Sequence, residues 1–565
     1  MTRSTRGRLA RRPLFAALVG ALSPVAAHAA GPVIPNAGTM LQQSQPAVSP
    51  GPSANRPGLS IEQPAGSTLP SSMPFEVEHI QITGNSKIDT ATLHALVASS
   101  EGKQLTLPEL GALALRITDY YHAHGYPLAR AIVPAQTLTG GVVRIEVIEA
   151  RYGKIELDNH SRVGDALLQA TLGGLQSGAV VTQAQMDRAL LLLSDIPGLA
   201  VNATLKPGAA VGTSDLDVAT SSASMVTGSV TADDYNNAYS GRPRLAATVS
   251  VLNPLHHGDE LSVSGLTSGA DMNYGRVGYD TLLNGEGTRL GASFSALDYR
   301  LGGSLSPLNA HGTAQVTSAD VRQPLIRSRN LNVYAGLEYD HLSLDDEIGA
   351  NGTATRRHLD NVTTTLSGDV RDAVLAGAVS VWSLSWTYGH VSFDNAAAQA
   401  VDASGASTQG GFSKWSLSAT RLQDLGGGNA LYLSISGQLA SGNLDSSQQL
   451  VVGGPGSVRA YDVNAVSGDD GGVVTLELRH TMPQAWYGQW QAIAFVDAAH
   501  VSINRNGFEA GSNSANLGGA GVGVNWAGPH GTSVSASVAT PVGARPVQAG
   551  STSSVRGWVQ LSKAF

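Results

Sequence analysis

The sequence predicts a membrane β-barrel of about 16 antiparallel strands, preceded by two α+β modules and a short N-terminal helix. Three observations predict it. The chain opens with an export signal and then holds no 18-residue apolar run. From Met225 to Phe565 apolar and polar residues alternate with a period of two. Between Phe75 and Thr220 a β-α-α-β-β pattern occurs twice.

Composition agrees. The chain has 565 residues, too long for one ordinary core. Charged residues make up only 14%, against a usual quarter, and there are 66 glycines. A net charge of −8 does not suggest nucleic-acid binding. There is no cysteine, which excludes disulfide and thiolate chemistry.

The elements follow in order. Arg3, Arg6, Arg8, Arg11 and Arg12 precede the apolar Pro13–Leu22, and Ala27-His28-Ala29 supplies an A-x-A cleavage site. Residues 1–29 therefore read as a signal peptide, and a membrane role requires a barrel. Residues 30–45 form an N-terminal segment. Its proline-free stretch Asn36–Gln45 has room for about two helical turns, too few to stand alone in water. Residues 46–74 read as an extended or disordered linker; nine of the 25 prolines lie between Gly31 and Pro74.

Residues 75–150 form the first module. FEVEHIQI alternates as a strand, and Ile88–Val97 reads as a helix. Thr106-Leu107-Pro108-Glu109 is a capping box. Behind it Leu110, Leu113, Ala114, Ile117, Tyr120 and Tyr121 share one helical face, ended by Gly125. ARAIV and GVVRIEVIEA add strands. Residues 151–222 repeat the plan: YGKIELD, a helix over Asp165–Leu172, a second capping box at Thr182–Gln185, then VNATLKP and SDLDVAT.

Residues 223–565 carry the barrel pattern, without helical periodicity. In LNVYAGLEY, Leu331, Val333, Ala335, Leu337 and Tyr339 share a face. Leu431, Leu433, Ile435 and Leu439 do so in LYLSISGQL, and Val474, Leu476 and Leu478 in VVTLELRH. Roughly 340 residues at ~20 per strand and turn give about 16 strands. A soluble sandwich or solenoid with one wet face would alternate in the same way. The export signal and the terminal aromatic strand favour the barrel.

The same residues resemble the two-partner secretion transporters (TpsB), outer-membrane members of the POTRA-barrel superfamily that include the haemolysin and haemagglutinin secretion and activation proteins. LTLPELGALALRITDYYHAHGYPLARAIVPAQTL with GVVRIEVIEA looks like their first POTRA domain, and VTQAQMDRALLLLSDIPGLAVNATLKPGAAVGTSDLDV like their second. AGTMLQQSQ is similar to the plug helix that sits inside their barrel. VRAY (Val458, Arg459, Ala460, Tyr461) matches the family's VRG[YF] loop motif, and AFVDAAH, with Phe495 and Asp497, its FxDxG strand motif. Ala460 and Ala499 stand where the family keeps glycine.

Period two puts Phe495 and Asp497 on the face opposite Ala494 and Val496, so Asp497 should face the lumen. A partly dehydrated carboxylate wants a cation, and an arginine fork can answer it bidentately. Spacing alone leaves Arg459 solvated, with Asp497 paired elsewhere, as an alternative. The resemblance nominates an Arg459–Asp497 lumen ion pair that pins the Gly453–Gly472 loop to the wall. It further implies a protein-translocating pore in the outer membrane, with periplasmic POTRA domains and a large secreted partner carrying an N-terminal secretion domain. Open sheet edges of the modules suit capture of an unfolded chain. A barrel-assembly factor of the same superfamily and a diffusion porin or receptor are the competing readings.

Other chemistry is not signalled. There is no G-x-x-x-x-G-K-[ST] for nucleotide and no G-x-S-x-G for an esterase, so no catalysis and no cofactor are expected. His122 and His124 diverge on a helix, and His256-His257 reads as a turn. Asp469-Asp470 lacks calcium-loop spacing and reads as solvated. No metal is expected.

Overall fold

The computed structural model describes residues 34–44, 58–61, 70–269, 271–484, 487–508, 511–550 and 553–565. The expected signal peptide and most of the expected linker lie outside the described residues.

Helix α1 spans Ala37–Ser44. Asn36 caps it: its Oδ1 accepts from Thr39 N at 3.1 Å, while its own N–H donates to Thr39 Oγ1 at 3.0 Å. Within the stretch read as an extended or disordered linker, four residues are ordered as extended chain. Gly58–Ile61 is a strand, β1.

The first module comprises β2 (Phe75–Val77), β3 (His79–Thr83), α2 (Thr90–Ala95), β4 (Lys103–Leu105), α3 (Leu107–Ala123), β5 (Arg130–Ile132) and β6 (Val142–Ile148). Helix α2 is shorter than expected because Asp89 caps it late and Leu96 already ends it; a 3-10 turn, Ala98–Ser100, follows. The Thr106/Glu109 capping box forms in both directions. Leu110, Leu113, Ala114, Ile117 and Tyr121 pack against Ile80, Val143 and Ile145 of the sheet's inner face and against Val77 of β2. Sheet order is β3-β6-β5, with β2 and β4 paired apart.

The second module comprises β7 (Arg151–His160), α4 (Asp165–Leu172), α5 (Gln183–Ser194), β8 (Leu199–Pro207) and β9 (Thr213–Ser222). Only half of its capping box forms: Thr182 Oγ1 accepts from Gln185 N. Leu168, Met186, Leu190 and Leu193 cover Val201, Leu205, Leu216 and Val218. The sheet order is β1-β8-β9-β7, so the linker strand sits on the outer edge of β8. The two run parallel, from Gly58 opposite Asn202 to Ile61 opposite Leu205. An edge expected to be open is thus covered by the chain's own linker.

The second module is fastened to the barrel by charge. Arg327, from a wall strand, grips Asp195 with Nε at 2.6 Å and Nη2 at 2.7 Å. Arg329 meets Asp187 at 2.8 Å, and Arg188 meets Glu286 at 3.0 Å.

Sixteen strands, from Val226–Asp233 to Arg556–Ala564, form the closed antiparallel barrel. Closure is made by Ser229–Asp233 pairing with Gln560–Ala564. Every wall strand has two partners, so no backbone edge is left for lipid to strand without hydrogen bonds. Leu337, Tyr339, Leu439, Leu476, Val496 and Val522 point outward and are exposed, as period two requires. One helix interrupts the all-strand expectation: Ala396–Ser404, where alanines favour helix and Asn395 Oδ1 accepts from Ala398 N.

Candidate functional site

The lumen holds two elements: α1, and the loop running from Ser441 to Asp469. The loop is longer than the Gly453–Gly472 stretch the sequence suggested: it begins where a wall strand ends at Ala440, and it stops three residues sooner because Asp470 already begins the next wall strand (Asp470–Thr481). Leu450–Val452 and Val466–Gly468 pair as a short stem. Gly453 and Gly454, at φ 112° and 95°, turn the tip; a side chain on Gly453 would strike the Asp462 carbonyl. The tip carries VRAY. Val458, Ala460 and Tyr461 are fully buried against Phe495, Ala499 and Leu517 of the wall.

Arg459 reaches Asp497. Its Nε donates to Oδ2 at 2.9 Å, its Nη2 to Oδ1 at 2.7 Å, and its backbone N–H to Oδ2 at 3.1 Å. Asp497 is 3% exposed and takes a further bond from Thr475 Oγ1. The guanidinium lies 3.4 Å over the Phe495 ring centroid, so both motif residues of that strand hold it. Phe495 and Asp497 are thus brought together with Arg459, while Val496 points outward.

Sequence reasoning missed the rest of the anchor. Arg459 Nη1 also donates to Glu477 Oε1 at 2.6 Å, and Glu477 Oε2 in turn takes Arg479 Nη2 at 2.6 Å. Trp558 Nε1 donates to the Arg459 carbonyl at 2.7 Å. Asp462, three residues past the arginine, is held by Arg556 at 2.6 Å and Arg242 at 2.8 Å. One signal was present: Val474, Leu476 and Leu478 point outward, which turns Glu477 inward. Trp558 and Arg242 had no such signal, because only barrel closure brings the first and last strands to the loop.

Asp469 and Asp470 are not solvated. Both are buried at the base of the loop. Asp469 accepts from Leu444 N, Gln449 Nε2 and Arg505 N; Asp470 accepts from Ala440 N and pairs with Arg505 Nη1 at 2.9 Å. Their task is to staple the loop's base, and loop folding explains the burial that spacing could not.

Helix α1 is held differently. Met40 and Leu41 pack on Met272, Leu297, Tyr299 and Leu344 of the wall. Its first N–H, from Ala37, donates to Asp346 Oδ1 at 2.7 Å, a carboxylate at the positive end of a helix. Arg357 bridges Asp346 at 2.7 Å and Asp445 of the loop at 2.6 Å, and Ser446 Oγ donates to Asn36 Oδ1. Asn464, near the loop tip, donates to the Thr39 carbonyl at 3.3 Å. Helix and loop therefore share one network across the lumen.

Comparison with known proteins agrees with this geometry. Residues 75–150 match the ShlB-type POTRA domain model, and residues 212–526 match the model of the haemolysin secretion/activation proteins ShlB/FhaC/HecB. The heme/hemopexin transporter protein HuxB of Haemophilus influenzae is 26% identical, covering 83% of this chain and 84% of HuxB. The outer membrane transporter CdiB of Escherichia coli is 25% identical over 76% of this chain and 74% of its own. The solved structure of CdiB from Escherichia coli superposes with a TM-score of 0.69 at 22% identity, over 91% of this chain and 94% of that one. BamA from Haemophilus ducreyi lacking POTRA domains 1–3 superposes at 0.52 and 15% identity, over 87% of this chain and 100% of that one. The chain belongs to the haemolysin secretion/activation protein (ShlB/FhaC/HecB) family, the outer-membrane transporters of two-partner secretion.

Proposed function

We propose that this barrel passes one large unfolded exoprotein, marked by an N-terminal secretion domain, to the cell surface without nucleotide. The observation that carries the reading is the filling of the lumen. A packed barrel core would be fixed, but here the lumen is filled by two separate segments, of which α1 can be moved aside while the loop stays anchored. The apolar outer belt would sit in outer-membrane lipid. No catalytic role is assigned to any residue.

Residues 75–150 and 151–222 act in this reading as two periplasmic POTRA domains after removal of residues 1–29. The client's extended segment adds to a sheet edge through main-chain hydrogen bonds, which demand little sequence. On the β8 edge it must compete with β1. Winning that edge would free the 46–74 tether, and with it α1. The Arg459–Asp497 pair serves as the fixed anchor of the loop during these movements.

Deletion of the gene tests the reading. One large exoprotein should then accumulate in the periplasm and vanish from the medium. Unchanged secretion of every exoprotein would sink the proposal. Ser60→Pro, which removes a ladder N–H from β1, should raise client affinity a few-fold in pull-down titrations with the client's secretion domain. Unaltered affinity would remove β1 from the mechanism.

A further inference from the structure

The geometry points to a transition-metal site in the first module, and we propose that His79, His94 and Glu101 bind Zn2+ there. The three residues stand fifteen and seven positions apart and come from separate segments. His79 opens β3, His94 lies in the last turn of α2, and Glu101 follows the 3-10 turn. Their donor atoms nevertheless converge within 4.8 Å of one another. His79 Nδ1 is 2.8 Å from Glu101 Oε1, and His94 Nε2 is 3.0 Å from the same oxygen.

That oxygen also accepts the Ile80 N–H at 2.7 Å. The amide fixes the carboxylate, so it is presented to the two rings rather than recruited by them. The rings stand 5.6 Å apart, tilted by 39°. In a tetrahedral zinc centre, bonds of about 2.0–2.2 Å place neighbouring donors roughly 3.3 Å apart. Opening the two histidine–Glu101 distances to that takes about half an ångström, and the three donors already lie within 4.8 Å of one another, a range that rotation about the side-chain bonds can close. Two imidazoles and one carboxylate suit Zn2+ and its first-row neighbours; Mg2+ and Ca2+ demand oxygen donors.

Solvent access fits the same reading. The His79 side chain is 58% exposed, His94 31% and Glu101 21%. Three protein ligands at the surface leave a fourth position open to water or to a donor from a bound chain. β3 is an edge strand of its sheet, and Glu101 takes the Ile80 N–H of that strand, so the site sits against the sheet edge. A bound ion would tie β3 to the corner made by α2 and the 3-10 turn, and would stabilise the module by mass action. Neither interval is a metal-ligand spacing, so the site is invisible along the chain. This inference does not depend on the transport reading.

The test uses the mature full-length protein in detergent, untagged and stripped with chelator. Titration with ZnCl2 is followed by calorimetry, with MgCl2 as the control. Parallel loading with Co2+ reads the visible bands of a low-symmetry centre. One saturable zinc site is expected, weakened about tenfold or more in both His79→Ala and His94→Ala, with the cobalt bands lost. The exposed His79 ring can be removed without touching the core, and unaltered heat-modifiable mobility reports intact folding. Superimposable zinc isotherms for wild type and both variants would overturn the proposal, as would no zinc uptake by the wild type or uptake of Mg2+ equal to that of Zn2+.

Discussion

Two elements fill the same lumen, and they are held by opposite chemistry. The loop tip is locked by charge: Arg459 spans Asp497 and Glu477, and Asp462 spans Arg556 and Arg242. Helix α1, with the sequence AGTMLQQS, has no charged residue. It makes no ion pair of its own: it is held by a small apolar contact and by single backbone and side-chain hydrogen bonds, two of them to the charged wall groups Asp346 and Arg244, and its Gln43 Nε2 is buried without a partner among the described residues. Neutral hydrogen bonds contribute about 1 kcal/mol each, whereas stranding a buried carboxylate costs about 3–5 kcal/mol. The difference separates an anchor from a plug. One element is costly to move, while the other can be exchanged for another chain of similar character.

The largest expected effect breaks the anchor. Arg459→Ala strands the buried Asp497, while Glu477 keeps Arg479, and on that account should cost the docked tip about 3–5 kcal/mol. Secretion should collapse, while the wall ladder, which does not use Arg459, keeps the barrel inserted and heat-modifiable. Wild-type exoprotein in the medium of this strain would erase the distinction between anchor and plug. Glu477→Gln should do less, because the bidentate pair with Asp497 survives.

The next effect attacks the plug. A side chain at Gly38 would meet Ser447 N at 2.5 Å and Ser446 Oγ at 2.6 Å. Gly38→Val should therefore expel α1 and raise the resting conductance of single channels in planar bilayers. The melting temperature of the barrel should not move, since no wall strand depends on α1. An unchanged conductance would show that α1 does not close the pore.

The unequal legibility of the two elements in the sequence has a physical cause. Period two revealed the wall, and 3–4 spacing revealed α3 and its buried face, because both patterns are local. Asp497 could be turned inward by counting from Val496. Its partner could not be found that way: a 38-residue separation carries no periodicity, and only the loop's return into the lumen brings Arg459 there. The linker strand β1 was illegible for a related reason. GLSI is too short to announce a strand, and its stability comes from the β8 edge it covers.

A third carboxylate sharpens the meaning of the anchor, because it is buried with no ion-pair partner among the described residues. Glu149, in the first module, accepts from Ser86 N at 2.7 Å, Ser86 Oγ at 2.5 Å, Lys87 N at 2.8 Å and Tyr121 OH at 2.9 Å. Burial pushes its carboxyl up, but these donors outweigh burial and hold it below the usual range. A depressed folded pKa contributes stability that is present above the unfolded value of about 4.3 and lost as pH falls through the folded value. Hydrogen exchange of α3 amides should accelerate across that acid window in the wild type. In Glu149→Gln the same window should be flat. Equal acid responses in both proteins would show that Glu149 does not carry the pH dependence.

The smallest effect concerns Ala460, which stands in the glycine position of the VRG[YF] motif that VRAY resembles. The residue is fully buried and its φ is not positive, so nothing in its backbone requires glycine. Room for its methyl comes from the wall: a side chain on Gly519 would lie 2.8 Å from the Ala460 Cβ. Ala460→Gly removes one buried methyl and frees the unfolded loop, together costing about 1 kcal/mol, which leaves secretion near the wild-type level. Gly519→Ala should impair secretion more, by pressing two methyls into one space. The pair then tests the fit directly. Ala460→Gly combined with Gly519→Ala moves the methyl from tip to wall and should restore secretion lost in Gly519→Ala alone. Failure of that rescue would mean that the two residues do not share the space, and that the tip is seated by its charges alone.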